Sequence, residues 1–393
     1  MENARLRALL SSTLILLLLG TAVPQQKRPI GEIPEDIKNE LTGYLKTHWM
    51  TPEDFVLNKF KKYDIVLIGE HHYIKHNVEF IQDLIPLLYE IGVTHLGIEF
   101  GCYELQDQVD SLLMADTYDE DLARRIMFQW ASYWPYIEYL DLYRKAWELN
   151  KILPKDATKF RIIGLDYRAQ WNLLKENMPS RYWKYILFRG PRNEHMAAVI
   201  KNEFIKKHRK ALVYTGQHHA FTRYHEPNYD FKRKKLIGVN KKGMGNIIYR
   251  KIPERVFNIC LHYPWETSAY KGIHDYPVDG AVDRVMKEFE KKKVGFDVKG
   301  SPFGNLSDRN SVYSCGRKNF TFSDFCDGYI FQKHFSRYEG CTVDPLFITE
   351  ENLKEAIAYL PSASIKKKIK TRAQFLHKME WDANFRRLYP YLE

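Results

Sequence analysis

The chain has 393 residues, 45% of them hydrophobic and 28% charged, with a formal net charge of +11. That apolar content buries a substantial core and excludes a disordered chain. The positive charge is spread over short runs at 206–210, 232–235, 291–293 and 366–368, and no nucleic-acid-binding motif accompanies them. No nucleic-acid partner is therefore expected, and the runs read as a solvated basic surface, with attraction to an anionic membrane surface or ligand as the alternative.

Arg5 and Arg7 precede a Leu- and Ile-rich run at 9–20, and Gly20, Thr21 and Ala22 are small. This pattern predicts a signal peptide over 1–22, cleaved near Ala22, and hence an exported protein, periplasmic or secreted. A retained anchor is the alternative, although the run is short for a bilayer core of about 30 Å. No cysteine lies near the cut, so a lipid anchor is not expected.

A polar helical lead-in occupies 23–60. The first core strand is predicted over 63–68 and runs into Gly69-Glu70-His71-His72. Ile74, Val78, Ile81, Ile85 and Leu88 then recur at helical spacing, and Pro86 is expected to kink or shorten that helix. A strand over 94–98 follows and delivers Glu99. This strand, helix, strand order predicts parallel pairing with a right-handed crossover. Residues 102–155 turn acidic and then aromatic, with Trp130, Tyr133, Trp134, Tyr136, Tyr139, Tyr143 and Trp147. They read as a helical insertion over the strand ends, whose aromatic stripe is more often core than ligand pocket.

The sheet resumes at 161–166, ending in Asp166. A helix over 193–207 starts beside Arg192, and a strand over 212–215 runs into Gly216-Gln217-His218-His219. Further strands are expected over 255–262 and 329–332, and a closing helix over 351–359. The fold class is thus α/β, a mainly parallel sheet with flanking helices. The core spans 61–290, including the insertion, and 291–393 is an extension packed on it. In an exported chain, one disulfide among Cys315, Cys326 and Cys341 is expected.

The two Gly-x-x-His segments place imidazoles just past the C-terminal ends of buried strands, where open α/β sheets hold their ligands. His72 and His219 are the candidates for general base or metal ligand. Glu70 and Glu99 complete a catalytic set, and His72, His219 and Glu99 a possible divalent metal site with an open position for water. His71, His218 and Asp166 would orient these groups or hold a cofactor. Arg192 and Arg168 are candidates to clamp an anion or steady a developing oxyanion, with a structural ion pair as the alternative. Cys102 is a candidate nucleophile, with a buried inert thiol the commoner case.

These segments, with His76 a turn after the first, Gly97-Ile98-Glu99, Arg192-Asn193 with Met196-Ala197, and Ala220, resemble the haem-binding uptake and Tiki superfamily. That group takes in ChaN-like lipoproteins, TraB/Tiki proteins and, more distantly, erythromycin esterases. The resemblance covers about 63–221. Similarity to ChaN-like proteins implies an α/β fold and possible haem binding for iron uptake. Similarity to Tiki proteins implies metal-dependent hydrolysis of a peptide or small-molecule substrate, with those roles falling on His72, His219 and Glu99. Two features depart from the pattern. The lipoprotein cysteine is missing, and the last position of the esterases' Gly-Glu-x-x-His pattern is here Tyr73, so the motif does not carry macrolide ester cleavage over. The expected activity is hydrolysis by activated water, and the alternative is a non-catalytic haem or metal binder.

Overall fold

The computed structural model describes residues 28–393 apart from 171–172, 174, 176–177, 180–181, 183–184, 187–189, 361 and 393. The expected signal peptide and its cut at Ala22 lie outside the described residues. Along the chain run β1 (Ile65–Glu70), β2 (His95–Cys102), β3 (Arg161–Asp166), β4 (Ala211–Gly216), the pair β5 (Glu226–Asp230) and β6 (Lys235–Asn240), and β7 (Val256–Leu261). A small pair follows, β8 (Trp265–Glu266) and β9 (His274–Asp275), and then β10 (Val294–Asp297) and β11 (Gly328–Phe331). Seven of these strands form one sheet in the order β10-β11-β7-β1-β4-β2-β3, parallel except for β10. In β1, β2, β4 and β7 every residue is buried, as strands covered on both faces must be, and this is why they read as unbroken apolar runs.

The β1-to-β2 crossover is parallel as expected, but the two strands are not neighbours, because β4 inserts between them. This order sets the site. The C-terminal ends of β1, β4, β2 and β3 stand side by side, about 4.8 Å apart. Residues 291–393 do more than pack on the core, since they add β10 and β11 to the sheet edge.

The crossover helix Lys75–Glu90 buries Val78, Ile81, Ile85 and Leu88, and it runs unbroken through Pro86. Pro86 is exposed on its outer side, where water can satisfy the carbonyl that the missing N–H leaves free. The insertion forms helices Gln106–Met114, Glu120–Trp130 and Ile137–Ile152, which share one core with that crossover helix. On the opposite face Met196, Val199 and Ile200, with Met244 and Ile248, cover β3 and β4. All five cysteines are free thiols, contrary to the expected disulfide. Cys326 is buried ahead of β11, Cys341 donates its backbone N–H to the Tyr73 carbonyl, and Cys315 sits half-buried after the turn Val312–Ser314. No helix among the described residues is long and apolar enough to cross a membrane.

Candidate active site

At the end of β1, Glu70 is buried and accepts a hydrogen bond from His72 Nδ1 at 2.6 Å. The carboxylate fixes the tautomer: Nδ1 carries the proton and Nε2 keeps its lone pair. Among the described residues that Nε2 has no hydrogen-bond partner, and the side chain is 27% exposed. Burial opposes the His72 imidazolium, but Glu70 outweighs it and the pKa lies above the usual 6.5. Burial raises the pKa of Glu70, and His72 offsets only part of that. The rings of Trp134 and Phe100 meet His72 edge-on at 5.2 and 5.7 Å and fix its plane.

Two glycines allow this approach. A Cβ on Gly216 would stand 2.8 Å from His72 Cε1, and one on Gly69 would stand 2.0 Å from the Gln217 side-chain oxygen. Neither position tolerates a larger residue without moving the side chain it meets, His72 or Gln217.

Glu99, in β2, accepts from the Gly216 backbone N–H at 2.7 Å and from Arg192 Nη2 at 2.7 Å, with His219 Nε2 3.3 Å away. Burial would raise its pKa, yet His219 and Arg192 hold the carboxyl well below the usual range. Arg192, at the start of the helix Arg192–Ile200, also donates through Nε and Nη2 to Asp166 at 2.9 and 2.7 Å. Asp166 accepts as well from Trp130 Nε1 at 2.9 Å and from the Tyr167 backbone. His219 Nδ1 pairs with the Asn193 side-chain oxygen at 2.7 Å, an oxygen that also accepts from Met244 N–H and is therefore an acceptor only. This puts a proton on His219 Nδ1, while Nε2 lies 3.2 Å from Arg192 Nη1 and 3.3 Å from Glu99 Oε1.

The structure thus brings together Glu70, His72, Glu99, Asp166, Arg192 and His219, and it divides them into two units. Glu70–His72 has a free nitrogen. In Glu99–Arg192–Asp166–His219 every member is committed to another, so Arg192 is a buried ion-pair hub and not an anion clamp. The set His72, His219 and Glu99 does not fit a divalent metal, because the guanidinium already occupies the Glu99 carboxylate and lies against His219 Nε2. Among the described residues no three His, Cys, Asp or Glu side chains converge as metal ligands.

Other expected members point elsewhere. His71 Nε2 pairs with the Tyr389 hydroxyl at 2.7 Å and its ring stacks on Tyr263, so it braces the C-terminal segment. His218 pairs with Glu226 at the start of β5. His76 is buried against Tyr338 with neither ring nitrogen hydrogen-bonded. Arg168 is exposed. Cys102 is buried with its Sγ 3.4 Å from the Tyr167 carbonyl, and burial pushes its thiol up, so it is no nucleophile. The sequence reading gave no role to Asn193 or to the indole of Trp130. Their signals were the position beside Arg192 and membership of the aromatic stripe. That stripe packs mainly on itself, with Trp134 set among Phe100, Trp130, Tyr136 and Tyr139.

No family model matches the chain, and no curated protein matches it significantly. Solved structures do. A succinoglycan biosynthesis protein is 8% identical, with 77% of this chain and 98% of that one covered at a TM-score of 0.51. A mutant of the erythromycin esterase EreC in its open conformation is 11% identical, with 77% and 100% covered at 0.47. ChaN of Campylobacter jejuni, described with cofacial haem, is 14% identical, with 55% and 87% covered at 0.36. The chain shares the α/β fold of the first.

Proposed function

We propose that the protein is an exported hydrolase that cleaves an ester or amide by activating water on His72. The observation that carries this reading is the Glu70–His72 pair: one imidazole nitrogen is held at 2.6 Å by a buried carboxylate, and the other, on a side chain 27% exposed, has no hydrogen-bond partner among the described residues. His72 Nε2 takes a proton from water as the water oxygen bonds to the acyl carbon. Glu70 stabilises the imidazolium that forms. The same proton passes from Nε2 to the leaving oxygen or nitrogen as its bond to carbon breaks. Glu99, Arg192, Asp166 and His219 hold the strand ends rigid around that nitrogen, a positioning role.

A panel of small esters and short peptides tests the reading. Hydrolysis by the purified protein that His72→Ala lowers by about 10²–10⁴-fold, and that chelator leaves unchanged, is the expected result. No turnover across the panel, together with a Soret band on adding haemin that His72→Ala removes, would replace it with the haem-binding reading, the ligand that ChaN of Campylobacter jejuni carries.

A further inference from the structure

The hairpin β5–β6 stands outside the main sheet, and between 231 and 242 it carries Lys232, Arg233, Lys234, Lys235, Lys241 and Lys242 with no acidic residue. Its strands alternate. Leu236 turns inward onto Gly316, whereas Lys235, Ile237 and Val239 are exposed, the two aliphatics at 51% and 39%. Arg233 reaches Asp230 only at 3.8 Å and Lys242 reaches Glu194 at 3.5 Å. Among the described residues the side chains of Lys232, Lys234, Lys235 and Lys241 have no ion-pair partner. A row of unneutralised cations edged by outward aliphatic side chains suits a bilayer interface, where the charges meet anionic headgroups and the aliphatics enter the acyl boundary. A soluble polyanion would gain from the cations but nothing from Ile237 and Val239.

We infer that the β5–β6 hairpin is a docking element for an anionic phospholipid surface. Its two legs are tied to residues next to the strand-end cluster of His219 and Arg192. Glu226, the first residue of β5, pairs with His218, and Lys242, just after β6, meets Glu194 two residues beyond Arg192. A bilayer engaged by the hairpin therefore lies beside that cluster. This inference does not depend on the hydrolase reading.

The test is co-sedimentation of the full chain with vesicles. The native protein is expected to sediment with vesicles containing phosphatidylglycerol, to stay in solution with pure phosphatidylcholine, and to be released as salt rises. The triple variant Lys232→Glu, Lys234→Glu, Lys235→Glu should lose binding by about tenfold or more. Ile237→Ser with Val239→Ser should weaken it several-fold with every charge kept. Unchanged near-UV circular dichroism and melting temperature show that both variants fold. Failure to sediment with anionic vesicles at low salt overturns the inference. So does equal binding by the charge-reversed variant. Retention on heparin that the aliphatic substitutions leave untouched, without vesicle binding, assigns the patch to a polyanion instead.

Discussion

On the proposed hydrolase reading His72 would serve as a base only while Nε2 is unprotonated, so the acid limb of the rate profile would report its pKa. Glu70 raises that pKa, which places the limb above 6.5. Replacing the carboxylate by an amide removes the charge that favours the imidazolium, so Glu70→Gln should move the limb to lower pH while cutting the plateau rate. A limb that stays in place would show that another group titrates. Arg192 raises a question of stability. Its guanidinium neutralises two carboxylates, Glu99 and Asp166, which are 2% and 4% exposed. Arg192→Ala removes the cation that both charges share in a dry site, a loss of about 3–5 kcal/mol, visible as a melting temperature lower by about 4–6 °C. Arg192→Lys should recover little of it, since one ammonium cannot make the forked contacts.

At the scale of elements, the strand ends are held by close backbone approach. Gly216 closes β4 where its own N–H binds Glu99 and His72 passes over its Cα. Gly216→Ala should push His72 away and cost at least about tenfold in rate, for about 1–3 kcal/mol of stability. A rate loss no larger than the fraction unfolded explains would count against this geometry. The strands themselves were legible because β1, β3, β4 and β7 are short apolar runs, each with a chemically competent residue at its end or within three residues past it, Glu70, Asp166, His219 and His262. Their lateral order was not: nothing local in 65–70 or 95–102 signals that β4, more than a hundred residues on, slips between them. The site was legible to the same extent. His72, Glu70, Glu99 and His219 follow from strand ends, because the pleat and the sheet edge fix where those positions go. His71 and His218 were misplaced because adjacent residues past a strand diverge, and their partners Tyr389 and Glu226 lie on elements whose packing sequence spacing does not encode. The metal failed for a similar reason, since Arg192 reaches Glu99 only through the tertiary fold.

For the whole molecule, the consequence of this architecture is a store of buried neutral imidazoles. His76 is lowered to about 3, His95 and His274 to about 4, and His71 well below 6.5, all by burial. A histidine with a depressed pKa binds its proton in the unfolded chain first, so its contribution to stability is complete above 6.5 and lost as the pH falls toward 4. His72 and His218 run the other way. Their pKa values are raised, and their contribution is complete below 6.5 and lost as the pH rises through the folded value. Near pH 5 His72 and His218 are protonated in both states and cancel, so these four histidines leave the unfolded state ahead by up to about four protons, a slope of up to about 5 kcal/mol per pH unit, which buried carboxylates with raised pKa values, Glu70, Glu266 and Asp327 among them, offset in part. Glu99, held far below its usual range, adds to the loss only as the pH falls through about 4.3 and beyond. Urea midpoints measured from pH 7 to pH 4 should therefore fall steeply below 6.5. His76→Phe, which keeps the edge-on contact with Tyr338 and removes two unpaired nitrogens, should flatten the slope by about 1.4 kcal/mol per pH unit and raise stability at pH 5. A midpoint that does not change between pH 7 and pH 5 would mean that these rings are already reached by water in the folded chain.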